Sequence, residues 1–339
     1  MATYTVTKKD ISKISYNVVA VLSSGNQINL DEVATNIAWE ENESELATRL
    51  NITIRDVEVN GKRLATQIAL CTAVLLYYDD GDGYKEAFRG TVWEWSHSGV
   101  KDDEIIITAY DMLFYLQKSD DYGFYEAGKT TQEICQSILN DWGVPVGEYS
   151  APSINHEKEV LKTKKISALL TEILKKAELM TGAKGIIRAN QGKCDIIKYG
   201  TNSEIWTFSA DTNLMSVADK YSMTDLITRV TILGKEDTEG ESRPPVYAVR
   251  DGSTQYGTLQ KIISIGSATE EAATQDAENT LKEKGKPTRR ITLVAPDFPR
   301  IRKGDRIRLL TDMVDGYFFV MTISHNATNQ QMQMEVEPL

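Results

Sequence analysis

The chain has 339 residues, 41% of them hydrophobic and 26% charged, with a net charge of −11 and a pI near 5.0. That length holds two or three domains, each with its own core. The acidic balance argues against a surface that grips nucleic acid, which needs clustered Lys and Arg to neutralise phosphates.

No apolar run reaches the length of a membrane helix, and the polar start Met1-Ala-Thr-Tyr-Thr-Val does not read as a secretory signal. Synthesis and assembly in a cytoplasm are therefore expected. Cys71, Cys135 and Cys194 are an odd number at wide spacing, which speaks against a disulfide framework or a zinc site. Cys71 and Cys135 lie in apolar patterns and are expected to behave as small hydrophobes.

The first third reads as β. Val18-Val-Ala-Val-Leu, Ile37-Ala-Trp, Leu50-Asn-Ile-Thr-Ile, Ala73-Val-Leu-Leu-Tyr-Tyr, Gly90-Thr-Val-Trp-Glu-Trp and Ile105-Ile-Ile-Thr-Ala-Tyr are short β-branched or aromatic runs. Turn residues such as Ser23-Ser-Gly-Asn, Asn60-Gly and Asp79-Asp-Gly-Asp-Gly bound them, and this spacing predicts a small barrel or sandwich. After Asp111 the pattern changes. Thr130-Thr-Gln-Glu133 is a capping box, followed by Ile134, Ile138, Leu139 and Trp142 at helical spacing and a stop at Gly143. A second helix is predicted from about Ser167 to Thr181, with Leu170, Ile173, Leu174 and Ala177 on its apolar stripe and Gly182 at its end. A hairpin around Asn190-Gln-Gly completes a small α+β insert. The last third returns to β near Leu226, with an exposed loop expected from Lys235 to Pro245. One helix opens on the capping box Ser267-Ala-Thr-Glu270, carries Ala272, Ala273, Ala277 and Leu281 on one face, and ends at Gly285 and Pro287.

Several segments invite chemistry. Gly252-Ser-Thr-Gln-Tyr-Gly257-Thr258 has phosphate-loop glycine spacing but lacks the lysine that would hold phosphates, so it reads as a loop. His156-Glu-Lys-Glu-Val160 puts valine where a zinc-binding helix needs its second histidine. Asp79-Asp-Gly-Asp-Gly83 is rich in oxygen ligands, but Gly90 and Tyr84 stand where an EF-type loop needs its final carboxylate and central glycine, so a hairpin turn is expected. Ser96-His97 and Ser324-His325 pair a hydroxyl with an imidazole. Adjacent strand residues point to opposite faces, however, so they read as strand-end residues. Trp93 and Trp95 alternate on one strand, as in a carbohydrate platform or a filled barrel interior. No catalytic, cofactor-binding or metal-binding residue is expected, and no cofactor.

The two ends echo each other. Val74 to Gly83 and Phe88 to His97 run strand, Asp/Gly turn, strand and Ser-His, as do Arg306 to Gly316 and Tyr317 to His325. Each closes on an alternating strand, Glu104 to Tyr110 and Gln331 to Glu337, and the two histidines stand 228 positions apart. Upstream, Thr48-Arg-Leu-Asn-Ile-Thr-Ile matches Thr288-Arg-Arg-Ile-Thr-Leu-Val. The reading is a duplicated β module.

From Phe88-Arg-Gly-Thr-Val-Trp-Glu-Trp through Glu104-Ile-Ile-Ile-Thr-Ala-Tyr-Asp-Met-Leu-Phe-Tyr-Leu, the Thr130 helix and Gly143-Val-Pro, the chain resembles the XkdQ/YqbQ-like tail hub proteins of contractile-tailed phages and related bacteriocin particles. Tyr256-Gly-Thr-Leu-Gln-Lys-Ile-Ile-Ser-Ile and Lys303-Gly-Asp-Arg-Ile-Arg-Leu fit the same family. The resemblance implies a non-enzymatic homotrimer in which each chain contributes two β tube domains, giving a ring that matches six-fold tube symmetry above and a three-fold spike below. It implies partners in the tail tube, tape-measure, spike and other baseplate proteins, DNA passing through a central channel without sequence-specific binding, and location in a virion tail.

The expected fold is mainly β: a tube domain over 1–112, an α+β insert over 113–216, and a second tube domain over 217–339 that includes a helix at about 268–284. An acidic surface would repel a phosphate backbone sliding through such a channel; simple solubility explains the charge equally well. A cell-wall glycoside hydrolase of a phage tail and a carbohydrate-binding β protein using Trp93 and Trp95 are the alternatives.

Overall fold

The computed structural model describes residues 2–5, 14–99, 103–234, 244–264 and 270–339. Fourteen strands of these residues form one sheet, and the others form smaller sheets. Contacts divide the chain into two compact units, one of residues 1–218 with 292–339 and one of residues 219–291.

In the first part of the chain the sheet order runs Ala34–Glu41, Arg49–Arg55, Glu104–Tyr110, Tyr84–Ser98, Ala73–Asp79, Ser15–Val21 and Gln27–Asn29. Alternation decides which face is buried. Leu50, Ile52 and Ile54 turn inward from one strand and Ile105, Ile107 and Ala109 from its neighbour. They meet Val18, Ala20, Ile37, Val74, Leu76, Phe88 and Val92 in a single core. All seven strands face that one core, so the sheet curls as expected of a barrel-like module. Its pairing path nevertheless stays open: Ala34–Glu41 pairs onward with Asp315–Asn326.

The echo between the chain ends is a repeat of topology. Strands Ser216–Ser222, Thr288–Pro296, Gln331–Pro338, Asp315–Asn326 and Arg306–Leu310 lie in that sheet order. This reproduces Ala34–Glu41, Arg49–Arg55, Glu104–Tyr110, Tyr84–Ser98 and Ala73–Asp79 strand for strand. Between the first two strands the N-terminal copy has a short turn, whereas the C-terminal copy carries residues 223–287. There, Arg229–Leu233 pairs with Val246–Asp251 and Gln260–Ser264, and Val230 and Ile232 pack with Ala273 and Ala277 of the helix Glu270–Lys284.

Among the described residues the helices are α1 (Leu64–Gln67), α2 (Phe114–Lys118), α3 (Thr131–Asp141), α4 (Ile166–Thr181) and α5 (Glu270–Lys284). Thr130 caps α3 through the full capping box, accepting from the Glu133 amide at 3.2 Å while its own amide donates to the Glu133 carboxylate at 2.8 Å. Gly182 ends α4 in the left-handed conformation at φ 72°. α3 and α4 bury Ile134, Ile138, Leu139, Leu170, Ile173 and Leu174 with Ile187 and Ile196 of the Asn190 hairpin.

Some expectations change. Cys71 is exposed, at a turn with φ 66° where its amide donates to the Val92 carbonyl; only Cys135 and Cys194 are buried thiols. Ser267 to Thr269, most of the Lys235–Pro245 loop and the Ala272 side chain lie outside the described residues.

Candidate functional site

The repeat brings the same two groups together twice. Asp56 follows directly on strand Arg49–Arg55, and Asp297 follows directly on strand Thr288–Pro296. Each meets the histidine of the long strand two places away in the sheet. His325 Nδ1 lies 2.6 Å from Asp297 Oδ1, and its Nε2 lies 3.2 Å from the Ile301 carbonyl oxygen. His325 is buried and stacks on Trp39, ring centroids 4.5 Å apart at 8°. Tyr16 donates to the other oxygen of Asp297; burial and that carboxylate push the Tyr16 hydroxyl well above the usual tyrosine range. The N-terminal counterpart is looser. His97 Nε2 is 3.3 Å from Asp56 Oδ2 and 2.9 Å from Asp103 Oδ1, with Arg63 donating to both carboxylates. Asp56, His97 and Asp103 are a possible set of metal donors by type and spacing. The Arg63 guanidinium already stands between the two carboxylates, where a cation would have to sit.

A second cluster joins the two modules to the insert. Glu41 ends its strand on the inward side, in step with Ile37 and Trp39. Arg302 donates to it through Nε (3.0 Å) and a terminal nitrogen, and the Lys303 amide donates to its other oxygen at 2.8 Å. Arg302 also donates to the Ala189 carbonyl at 2.9 Å, and Arg188 donates to Asp305 at 3.0 Å. Lys303 Nζ donates to the carbonyls of Asn42 and Glu45 at 2.8 and 2.6 Å. Burial would raise the Glu41 carboxyl, but Arg302 and Lys303 bring it down to about 2. Nearby Asp111 accepts from the Thr48 and Leu113 amides, yet burial dominates and pushes it up to about 6. These groups fix three segments distant in sequence.

Ser96 stands opposite Ile106 and Ser324 opposite Gln333, on the faces away from their histidines, and among the described residues neither hydroxyl bonds its histidine. His156 is not helical. It is buried, with Nε2 2.8 Å from the Thr131 hydroxyl and Nδ1 3.1 Å from Glu159, a strut between strand and helix. Gly252–Thr258 is a loop. Asp79 Oδ1 accepts from the Gly81 and Gly83 amides at 2.8 and 3.1 Å, closing the hairpin turn, while Asp80 is held by Lys85 and Arg300.

Trp93 and Trp95 do not form a platform. The ladder shifts between Thr108 and Ala109, leaving Trp93 as the extra residue of a bulge. Trp95 stays opposite the inward Ile107, while Trp93 turns outward onto Phe114 and Tyr115 of α2, 4.7 and 4.9 Å between centroids. Asp297 and Arg302 carried no motif, while Asp305 lies in the Lys303-Gly-Asp segment that fits the family. Glu41 did carry a signal, a charge continuing a period-2 run on its buried face.

Two relatives from Bacillus subtilis resemble the chain. One is the uncharacterized protein YqbQ, 23% identical over 57% of this chain and 57% of its own length. The other is the phage-like element PBSX protein XkdQ, 24% identical over 65% of this chain and 67% of its own. The chain thus spans little more than half the length of YqbQ. Among solved structures, the 43 kDa tail protein of prophage MuSo2 from Shewanella oneidensis shares the fold at TM-score 0.69, covering 95% of this chain and 98% of that one at 13% identity. The YQBQ-like family matches residues 37–337, nearly the whole length, and the protein belongs to that family.

Proposed function

We propose that this protein is a structural hub of a phage-type tail or baseplate, a homotrimer whose six β modules form a pseudo-six-fold ring between tail tube and spike. The observation that carries the reading is the repeated five-strand topology. Three chains with two similar modules each offer six similar positions, which a six-fold tube and a three-fold spike both match. The prophage tail protein of the same fold and the phage-like element relative support it. The organisation proposed is a tube module over 1–112, an α+β insert over 113–216 and a second tube module over 217–339, the last with residues 219–291 as a compact insertion. Its work is geometric: nucleating the tube, docking spike, tape-measure and other baseplate proteins, and surrounding a channel that passes DNA without reading it. No catalytic step is assigned. The virion tail, assembled in the host cytoplasm, is the proposed location. Light scattering of the full chain at tens of micromolar, with electron microscopy of end-on views, tests this. Three-chain rings with six lobes are expected; a single-chain species would overturn the reading.

A further inference from the structure

Within one chain the two modules are joined strand to strand. Ile323–Asn326, the outer half of the long strand of the second module, pairs antiparallel with Ala38–Glu41, the first strand of the first module. Ile323 stands opposite Glu41 and Asn326 opposite Ala38. Such a join needs two edges, and the repeat supplies a second copy of each.

The first of these is Trp95–Ser98, the outer half of the other long strand. It is bonded to Glu104–Ile107 on one side, and among the described residues no strand pairs its other side. Its counterparts Ile323 and His325, on the paired edge, are buried, whereas Trp95 is 37% exposed and Ser96 to Ser98 are exposed. The second is Ser216–Ser222, counterpart of Ala34–Glu41. It pairs with Thr288–Pro296, and among the described residues its outer edge meets no strand. A cross-strand ion pair sets the alignment of the two. Arg49 holds Glu40 in the first module, and Arg289 holds Asp219 at 2.7 Å in the second. Since Arg49 and Arg289 match in the sequence echo, Val217–Lys220 takes the place of Ala38–Glu41.

We infer that Trp95–Ser98 of one copy pairs antiparallel with Val217–Lys220 of the next copy, Trp95 opposite Lys220 and Ser98 opposite Val217, repeating between chains the join found within one. The inference rests on the trimer reading and names its interface. The contact is heterologous, one edge meeting a different edge, so it propagates until the ring closes. Three copies then alternate internal and external joins around six modules. It also covers free backbone edges that would otherwise template unwanted pairing.

Cysteine cross-linking of the full chain tests this, in a Cys71→Ser background that removes the exposed native thiol. Directly opposed residues of an antiparallel pair have Cα atoms about 4.5–5.5 Å apart, inside the range a disulfide spans. Trp95→Cys with Lys220→Cys is expected to give thiol-reversible species of two and three chains under mild oxidation. Ser98→Cys with Val217→Cys is expected to do the same, and keeps the test sound if the first pair impairs folding. Trp95→Cys with Ser216→Cys, about 13 Å out of register, is expected to give neither. Three-chain particles by light scattering without in-register cross-links overturn this interface and leave the hub reading standing. Equal cross-linking of the out-of-register pair also overturns it. A single-chain species without cross-links overturns both.

Discussion

Glu41 shows how a single buried charge can hold segments that lie far apart in sequence. Its carboxylate accepts from Arg302 and from the Lys303 amide, so Glu41→Gln leaves the half-buried Arg302 guanidinium without its counter-charge. A loss of about 3–5 kcal/mol is expected near pH 7, read as a lower urea midpoint at unchanged slope. The pH dependence has a definite sign. The folded-state value of about 2 lies below the ordinary 4.5, so ionised Glu41 stabilises the fold above pH 4.5 and loses that contribution as pH falls toward 2. Asp111 runs the other way: raised from 3.8 to about 6, it contributes stability below pH 4 that is lost as pH rises through 6. The gap between the parent chain and Glu41→Gln should therefore be widest at pH 7 and close as pH approaches 2. A gap that stayed constant from pH 7 to 3 would remove the carboxylate from the account. The two histidines make a matched pair of tests. His325→Ala deletes a ring stacked on Trp39 and strips a buried carboxylate of a partner, and should cost roughly 2–4 kcal/mol. His97→Ala, at an exposed position whose buried neighbour Asp56 keeps Arg63 and the Ala65 amide as donors, should cost less than about 1 kcal/mol. Equal costs would mean that the two positions are not differentiated as described.

At the scale of elements, what the sequence made legible was local. The Thr130 capping box, the α4 stripe Leu170, Ile173, Leu174 and Ala177, and the alternating strands all form where period and cap put them, because those signals act over one or two turns. The repeat was legible as matching order in two β segments, though only the sheet path shows that five strands share it. What stayed hidden is long-range or irregular. Short α1 and α2 have no room for a 3.6-residue period, and the parallel pairing of Glu204–Ser209 with Arg306–Leu310 has no local signature. The bulge at Trp93 reverses the face that strict alternation assigns and so separates Trp93 from Trp95. Close approach beside that bulge yields an element-scale prediction. A Cβ added at Gly90 would lie 2.2 Å from the Tyr110 carbonyl oxygen and 2.5 Å from Phe88 Cζ. Backbone cannot move aside without opening the ladder between Tyr84–Ser98 and Glu104–Tyr110. Gly90→Ala should therefore destabilise by at least about 1–3 kcal/mol, with faster exchange of the amides of that ladder. A neutral substitution would mean that the strands lie farther apart than described.

At the scale of the whole molecule, one copy of the repeated topology carries residues 223–287 between its first two strands, and this makes them separable in principle. Residues 219–291 have their own contacts and a small core of Val230, Ile232, Ala273 and Ala277. They leave and re-enter the C-terminal module through two paired strands, Ser216–Ser222 and Thr288–Pro296, whose facing ends are close: the Thr288 hydroxyl donates to the Ser222 carbonyl at 3.4 Å. In the N-terminal module the same two strands are joined by residues 42–48 alone. A turn of a few residues can thus replace residues 223–287 without stretching either strand, and a shorter connection lowers the loop-closure cost by about 0.6 kcal/mol for each halving of a flexible length. The shortened chain should unfold in one cooperative transition, keep its far-UV β signature, and retain the Glu41–Arg302 and His325–Asp297 contacts, because every group in them lies outside the deleted span. Chemical denaturation followed by tryptophan fluorescence reads this directly. Trp39, Trp93, Trp95, Trp142 and Trp206 all remain after the deletion. If the shortened chain loses cooperativity or aggregates while the parent does not, the insertion supplies packing that the module needs, and the two copies of the repeat are not equivalent folding units.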